Sequence, residues 1–430
     1  MMKIFHIADT HIGYSAYRRT DEASGLNQRE VDTYEAFRRF VDFAVQEKEK
    51  PDLIMHAGDL FDSVRPSNRA ISFVLGQLLR LSEAGIPFVA ISGNHETPRL
   101  KETGSVLSLF EHIPGVRLVY EGRYEIVEIP DLRLKIHAIP HSDDIEREKK
   151  KMKLRAGEGV GEGVGEGFNV ALLHASVLGA GLPAAASASA FLMHEFNEQV
   201  VSIDDLTGLG LDYIALGHFH RPTRVRAGAY YAGSTERFSF SEANDQKGFL
   251  EVRLREREER EEREKEEENS KNKREVVFHR LRTREMLDLE PVVCSGLDEQ
   301  GIKSALKRRV RECNPQGKVV RLKVQGIPLH IYHSLDFDEL KRLTRSAVHF
   351  ELKYDFQRQS GSELFPAAER PSFRSLKTEF EEFVEKYAVA GEGAGVAGSG
   401  IKKARLKELG LRYLREGGEE GERGEGSLFY

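Results

Sequence analysis

The sequence predicts an α/β fold built on buried parallel strands that deliver polar side chains from their carboxyl ends. Three observations carry this expectation. Five short apolar runs each close on a residue able to bind a metal; amphipathic segments at helical spacing separate the first three; and the runs have the length and hydrophobicity of strands covered on both faces. In open α/β sheets the ligand site lies outside the carboxyl ends of the strands, so five such ends in one sheet would gather their side chains in one place.

Taken in order, residues 3–8 deliver Asp9 and His11. The following loop, 14–29, carries Arg18, Arg19 and Arg29; it reads either as a basic and aromatic rim for phosphate and base or as an ordinary solvated loop. Residues 32–48 place Phe37, Phe40, Val41 and Ala44 at helical spacing, with Asp32 or Thr33 as the cap. The run 52–59 ends on Asp59. A second helix, 67–84, lines up Ile71, Val74, Leu75, Leu78, Leu79 and Leu81 and stops at Gly85. Residues 87–93 lead to Asn94 and His95, with Gly93 letting the backbone come close to a bound ion.

Strands are expected over 117–120, 124–129 and 132–139, with His137 and His141 as structural or rim residues, then a charged helix over 143–155. The Gly/Glu repeat 156–167 is too poor in apolar side chains to pack and reads as a surface loop. Residues 168–173 deliver His174, and 177–190, rich in Ala, Gly and Ser, read as a plain loop or a mobile cover. Residues 213–217 deliver His218 and His220, and 230–237 form a strand and turn returning to the site. Strands 248–254 and 274–281 flank a charged excursion, 256–273, that reads as a solvated tip. From 288 the order strand, helix, strand, helix, strand describes a smaller α+β unit. Between 301 and 345 it holds eleven Lys or Arg against four Asp or Glu, enough to steer a polyanion or simply to solvate a helix face. In the tail, Leu376, Phe380, Phe383, Val384 and Tyr387, then Ile401, Leu406, Leu409 and Leu414, mark two amphipathic helices for docking on a partner or on the chain itself.

Two Asp, one Asn and four His form an oxygen and nitrogen ligand set without thiolate, suited to ions such as Mn²⁺, Fe²⁺ or Zn²⁺. Asp9, His11, Asp59, Asn94, His174, His218 and His220 are too many for one tetrahedral ion and suit two if Asp59 bridges them. Such a pair activates a water and clamps both oxygens of a phosphate ester, so phosphoester hydrolysis is the expected chemistry, with His95 placed to protonate the leaving oxygen.

Composition bounds this reading. A chain of 430 residues accommodates two or three domains, and a net charge of -6 argues against a uniformly basic coat while allowing a local basic surface. Cys294 and Cys313 have no zinc or disulfide spacing. With no apolar run of about 18 residues and no leader pattern, a soluble, cytoplasmic, nucleoid-associated protein without membrane contact is expected.

The motifs Asp9-x-His11, Gly58-Asp59, Gly93-Asn94-His95-Glu96, His174 and Gly217-His218-x-His220 resemble the calcineurin-like metallophosphoesterase superfamily. The text around them, including Leu60-Phe61 and Gly233-Ser234-Thr235-Glu236-Arg237, is similar to the archaeal double-strand-break repair nucleases of the meiotic-recombination-eleven or SbcD family. The resemblance implies a metallophosphoesterase β-sandwich flanked by helices over 1–287, an α+β cap on the DNA over 288–360, and a flexible helical tail over 361–430 that binds a Rad-fifty-type coiled-coil ATPase. It further implies a homodimer that processes DNA ends with two Mn²⁺ ions per subunit, as a double-strand exonuclease and a single-strand or hairpin endonuclease. By position, Asp9, His11, Asp59 and His220 would hold one ion, Asp59, Asn94, His174 and His218 the other, and His95 would serve the transition state. The alternative is a small-substrate metallophosphatase or cyclic-nucleotide phosphodiesterase. One position departs: Asp62 stands where many members carry a His, and a carboxylate cannot supply a cationic donor at neutral pH.

Overall fold

The structure, a computed structural model, describes residues 1–46, 48–98, 104–157, 167–178, 199–226, 228–255 and 274–356. Most of the Gly/Glu repeat, most of the 177–190 loop, the 256–273 excursion and the 361–430 tail lie outside the described residues. The chain divides into two compact units, Met1–Gln357 and Arg358–Tyr430, and the described architecture belongs to the first.

The apolar runs do become strands, but in two sheets rather than one. In the first sheet, β1 (Met2–Ile7), β2 (Leu53–His56), β3 (Phe88–Ile91) and β4 (Val116–Val119) run parallel, and β13 (Gly248–Leu254) and β14 (Arg274–Arg280) extend it antiparallel beyond β1. The second orders β11 (Thr223–Arg226), β12 (Ala229–Tyr231), β10 (Tyr213–Gly217), β7 (Phe168–His174), β6 (Leu134–Ile139) and β5 (Glu125–Ile129), with its four central strands parallel. The expectation of five strand ends in one sheet is therefore corrected: three ends come from the first sheet and two from the second.

Alternation along each strand explains the stacking. Ile4, Leu53, Met55, Val89 and Val252 face Ile136, Val170, Leu172, Tyr213 and Ala215 across the sandwich. On the outer face of the first sheet, Phe5, Ile7, Ile54, Phe88 and Ala90 bury against Phe37, Phe40 and Val41 of α1 (Gln28–Ala44) and Val74, Leu78 and Leu81 of α2 (Asn68–Glu83). The second sheet buries Ala171, Leu173, Ile214 and Leu216 with Met152 of α3 (Ile145–Gly157) and with Val177 and Val201 of the short pair β8 (Ser176–Leu178) and β9 (Val200–Ser202). Strands covered on both faces are mostly apolar, the buried His6 of β1 and His56 of β2 excepted, which is why the runs read so clearly.

Both helix expectations hold with corrections. Helix α1 begins at Gln28, capped by Asn27, whose side chain accepts from the Arg29 amide at 2.9 Å, rather than at Asp32 or Thr33. Its first turn packs into a polar network, so apolar periodicity could not register it. Arg29, expected in the rim loop, is buried there and donates to Asp32 at 2.5 Å and to the Arg237 carbonyl. Arg18 and Arg19 are exposed. Helix α2 is capped by Ser67 and ends before Gly85 at φ 66°, but Leu75 and Leu79 point to solvent.

Beyond Arg284 the chain builds β15 (Met286–Val293), α4 (Glu299–Glu312), β16 (Val319–Ile327), α5 (Leu329–His333), α6 (Phe337–Thr344) and β17 (His349–Phe356). The three strands are parallel with β16 central, so this part is a small α/β unit rather than α+β, as strands joined through helices require. It has its own core around Ile302, Leu306, Val310, Leu322 and Val324. Arg284 ties it to the sandwich, giving two 2.6 Å bonds to Asp32 and one of 2.5 Å to the Gly317 carbonyl. The 288–360 and 361–430 boundaries remain expectations drawn from the sequence.

Candidate metal centre

The site forms where five strand ends meet across the two sheets. Asp9 follows β1, Asp59 follows β2, and Asn94 and His95 follow β3, while His174 is the last residue of β7 and His218 follows β10. The first two ends are laced together: the Asp9 amide donates to the Gly58 carbonyl, and the Thr10 and His11 amides to the Asp59 carbonyl, each at 3.0 Å. Close approach needs glycine at two more ends. A Cβ on Gly93 would collide with Asp59 Oδ1 and its amide, and one on Gly217 with the Ala57 carbonyl. Asp9, His11, Asp59 and His218 adopt φ of 50°, 43°, 55° and 90°, the left-handed region that few non-glycine residues occupy.

The Asp59 carboxylate lies between two sets of donors. Its Oδ2 is 3.7 Å from His11 Nε2 on one side and 3.3 Å from His174 Nε2 on the other. His11 Nε2 is 3.2 Å from His220 Nε2, and His174 Nε2 is 3.0 Å from Asn94 Oδ1. His218 joins at the edge, its Nδ1 3.3 Å from Asn94 Oδ1 and its amide donating to Asp9 Oδ1 at 2.9 Å. Asp9, His11 and His220 form one tight group, Asp9, Asp59 and His174 a second, and His11, Asp59 and His95 a third. All seven residues expected as ligands thus come together, with Asn94 joining through His174 and His218 through Asn94. His95 donates its amide to Asp59 Oδ1 at 3.0 Å and sets its ring edge-on to His11 at 4.6 Å.

The donor set fits cations. His174 Nδ1 is 2.8 Å from the Ala57 carbonyl, so the ring carries its proton there, and Nε2 faces two more oxygens that also only accept. Such a nitrogen needs either a second proton or a positive ion. His11 and His220 aim Nε2 at Nε2 in the same way, and Asp9 Oδ2 is buried without a hydrogen-bond partner among the described residues. Burial would lower the His174 pKa, but the Asp59 and Asp9 carboxylates push it up to about 9. Burial would likewise raise Asp59, yet His174 and His11 hold it well below the usual carboxylate range.

A cation binding at His174 must displace that proton below about pH 9, so Mn²⁺ affinity is expected to climb as pH rises. One proton released corresponds to about tenfold per pH unit. Titrations of the metal-free protein across roughly pH 6 to 9 measure this, and a flat profile would exclude His174 from the ligands.

Glu242 and Phe238, not singled out from the sequence, complete the centre together with residues named above. Glu242 approaches His220 Nδ1 at 3.2 Å and accepts from the buried Lys247; burial would raise its pKa, but His220 and Lys247 hold it below the ordinary range. Phe238 sets its ring against both His11 and His220, at 4.8 and 5.3 Å. Glu96 accepts from the Phe61 and Gly93 amides and so pins two strand ends together; burial and the Asp59 charge push it up to about 8. Asp62, where the resemblance leads one to expect a His, brings its carboxylate 3.2 Å from His11 Nδ1, while its carbonyl lies 3.2 Å from His95 Nδ1. His137 is structural, bonded to the Tyr124 hydroxyl at 2.8 Å.

The family model for calcineurin-like phosphoesterases matches residues 2–222. Among curated proteins, the chain is similar to the DNA double-strand break repair protein Mre11 of Methanococcus maripaludis, 30% identical over 57% of this chain and 60% of that one. The protein of that name from Saccharolobus solfataricus is 30% identical over 52% and 51% of the two chains, and that of Sulfurisphaera tokodaii 31% identical over 51% and 49%. The chain thus spans about half to three-fifths of the length of these relatives.

Proposed function

Because the chain belongs to the calcineurin-like phosphoesterase family, we propose that it is a two-metal phosphodiesterase that cuts DNA, processing broken ends as a double-strand exonuclease and a single-strand or hairpin endonuclease. The observation that carries the reading is the Asp59 carboxylate with His11 on one side and His174 on the other. The similarity to relatives named for double-strand break repair supports DNA as the substrate.

Asp9, His11, Asp59 and His220 would hold one Mn²⁺, and Asp59, Asn94, His174 and His218 the second. Bound there, the pair would supply an activated water and neutralise charge on the attacking and departing oxygens of a phosphodiester. His95, with Nδ1 turned to the Asp62 carbonyl, keeps Nε2 for the proton that the departing oxygen takes up. Glu242 hydrogen-bonds the His220 ring from behind, and the Asp62 carboxylate lies 3.2 Å from His11 Nδ1, which would leave each Nε2 free for an ion. The basic side chains of the three-stranded unit would meet the phosphate backbone, with Arg308 70% exposed on α4.

Side-by-side assays in Mn²⁺ of linear duplex DNA, hairpin DNA and a generic phosphomonoester test this. DNA cleavage well above monoester turnover is expected; preferential monoester turnover would make the chain a small-substrate phosphatase instead. The tail is proposed to dock a Rad-fifty-type coiled-coil ATPase, and the chain to work as a homodimer. Truncation after Ala367 is expected to abolish co-purification with that ATPase and to spare nuclease activity; an intact complex would refute tail docking.

A further inference from the structure

The short turn Phe238–Ala243 has two faces. Toward the metal centre, Phe238 packs on the His11 and His220 rings, and Glu242 holds His220 Nδ1 at 3.2 Å. Away from it, Phe240 and Ala243 pack against Met286, Val319 and Val348 of the three-stranded unit, and the Arg321 guanidinium lies over the Phe240 ring at 4.4 Å. Arg321 is itself anchored by Asp288 at 2.7 and 3.0 Å. The two faces are fastened together inside the turn: Glu242 also accepts from the Phe238 amide at 3.4 Å and from Ser239 Oγ at 3.2 Å. Behind it, the buried Lys247 ammonium bonds Glu242, Ser234 Oγ and the His220 carbonyl, so the carboxylate and the His220 backbone share one support.

We propose that Glu242 is a positioning residue for His220, and that the grip of the three-stranded unit on Phe240 sets its place. The unit then does more than cover the sandwich. Its seating decides how firmly the ion on the His11 and His220 side is held, while the ion on the His174 side, braced by Ala57 and Asn94 within the sandwich, is indifferent to it. Other contacts run in parallel, with Tyr17 stacked on His349 of β17 at 4.0 Å and Arg284 bonded to Asp32 and to the Gly317 carbonyl, but neither bonds a ligand, so among the described residues the Phe238–Ala243 turn is the link that touches one. The proposal rests on the two-ion reading of the site.

The test is Mn²⁺ binding by calorimetry, with electron paramagnetic resonance to distinguish a coupled pair of ions from an isolated one. In the full chain, Glu242→Gln is expected to weaken one of two ions by roughly 10- to 100-fold and to replace the coupled spectrum by that of a single ion. Phe240→Ala and Arg321→Ala, which touch no ligand and leave Lys247 paired, are expected to weaken the same ion by a smaller factor, and Phe240→Tyr to restore it. Unaltered binding in Glu242→Gln overturns the positioning role, and unaltered binding in both Phe240→Ala and Arg321→Ala overturns the link to the three-stranded unit. Equal loss of both ions also overturns it. A wild-type chain that binds no Mn²⁺ would instead refute the metal centre itself.

Discussion

Replacing Asp59 by Ala is expected to abolish phosphodiester cleavage and to leave no coupled pair of Mn²⁺ ions. Its carboxylate Oδ2 lies 3.7 Å from His11 Nε2 and 3.3 Å from His174 Nε2, between the two ligand sets. Losing the paired charge forfeits several kcal/mol of transition-state stabilisation, a rate loss on the order of a thousandfold or more. The substitution also removes the acceptor of the His95 amide, so the β3 end loosens as well. Single-turnover cleavage and metal stoichiometry measure the two effects. Retained coupling of two ions in Asp59→Ala would exclude it as the bridge.

His95→Asn separates chemistry from binding. The ring touches His11 edge-on, but the backbone amide, not the imidazole, anchors the loop on Asp59. The variant should therefore fold and bind Mn²⁺ and DNA nearly as the parent does, while turnover falls by about 10²- to 10⁴-fold, the usual contribution of a placed acid. The loss belongs in the rate constant and not in the substrate concentration needed for half-saturation. Cleavage at the parental rate would remove His95 from the mechanism.

The strand ends were legible because a run buried on both faces is mostly apolar until its end, His6 and His56 excepted, so Asp9, Asp59, Asn94, His174 and His218 stand out at or just beyond the exits. That same burial hid the division into two sheets. Nothing in residues 168–173 distinguishes a neighbour of β2 from a neighbour of β10, and the register Gly217 to His174 is a long-range choice. Glu242 was out of reach for another reason. It meets His220 from 22 residues away through a turn with no periodic pattern of its own. The start of α1 was missed because Arg29 is buried by pairing with Asp32, which also accepts from Arg284, and apolar spacing is silent about such turns. The parallel order of the last three strands follows from the strand and helix alternation that was read, and the α+β description overlooked it.

The left-handed backbone at Asp9, His11, Asp59 and His218 narrows the alphabet available there. Asp, Asn and His are the side chains that tolerate such dihedrals best after glycine, and they are also oxygen and nitrogen donors. Chain geometry and coordination chemistry thus select the same few letters at these four positions. On the two-metal reading a substitution there would be penalised twice, once in the fold of the loop and once in the lost ligand, whereas at His174 and Asn94, which lie outside the left-handed region, the backbone would add no such penalty.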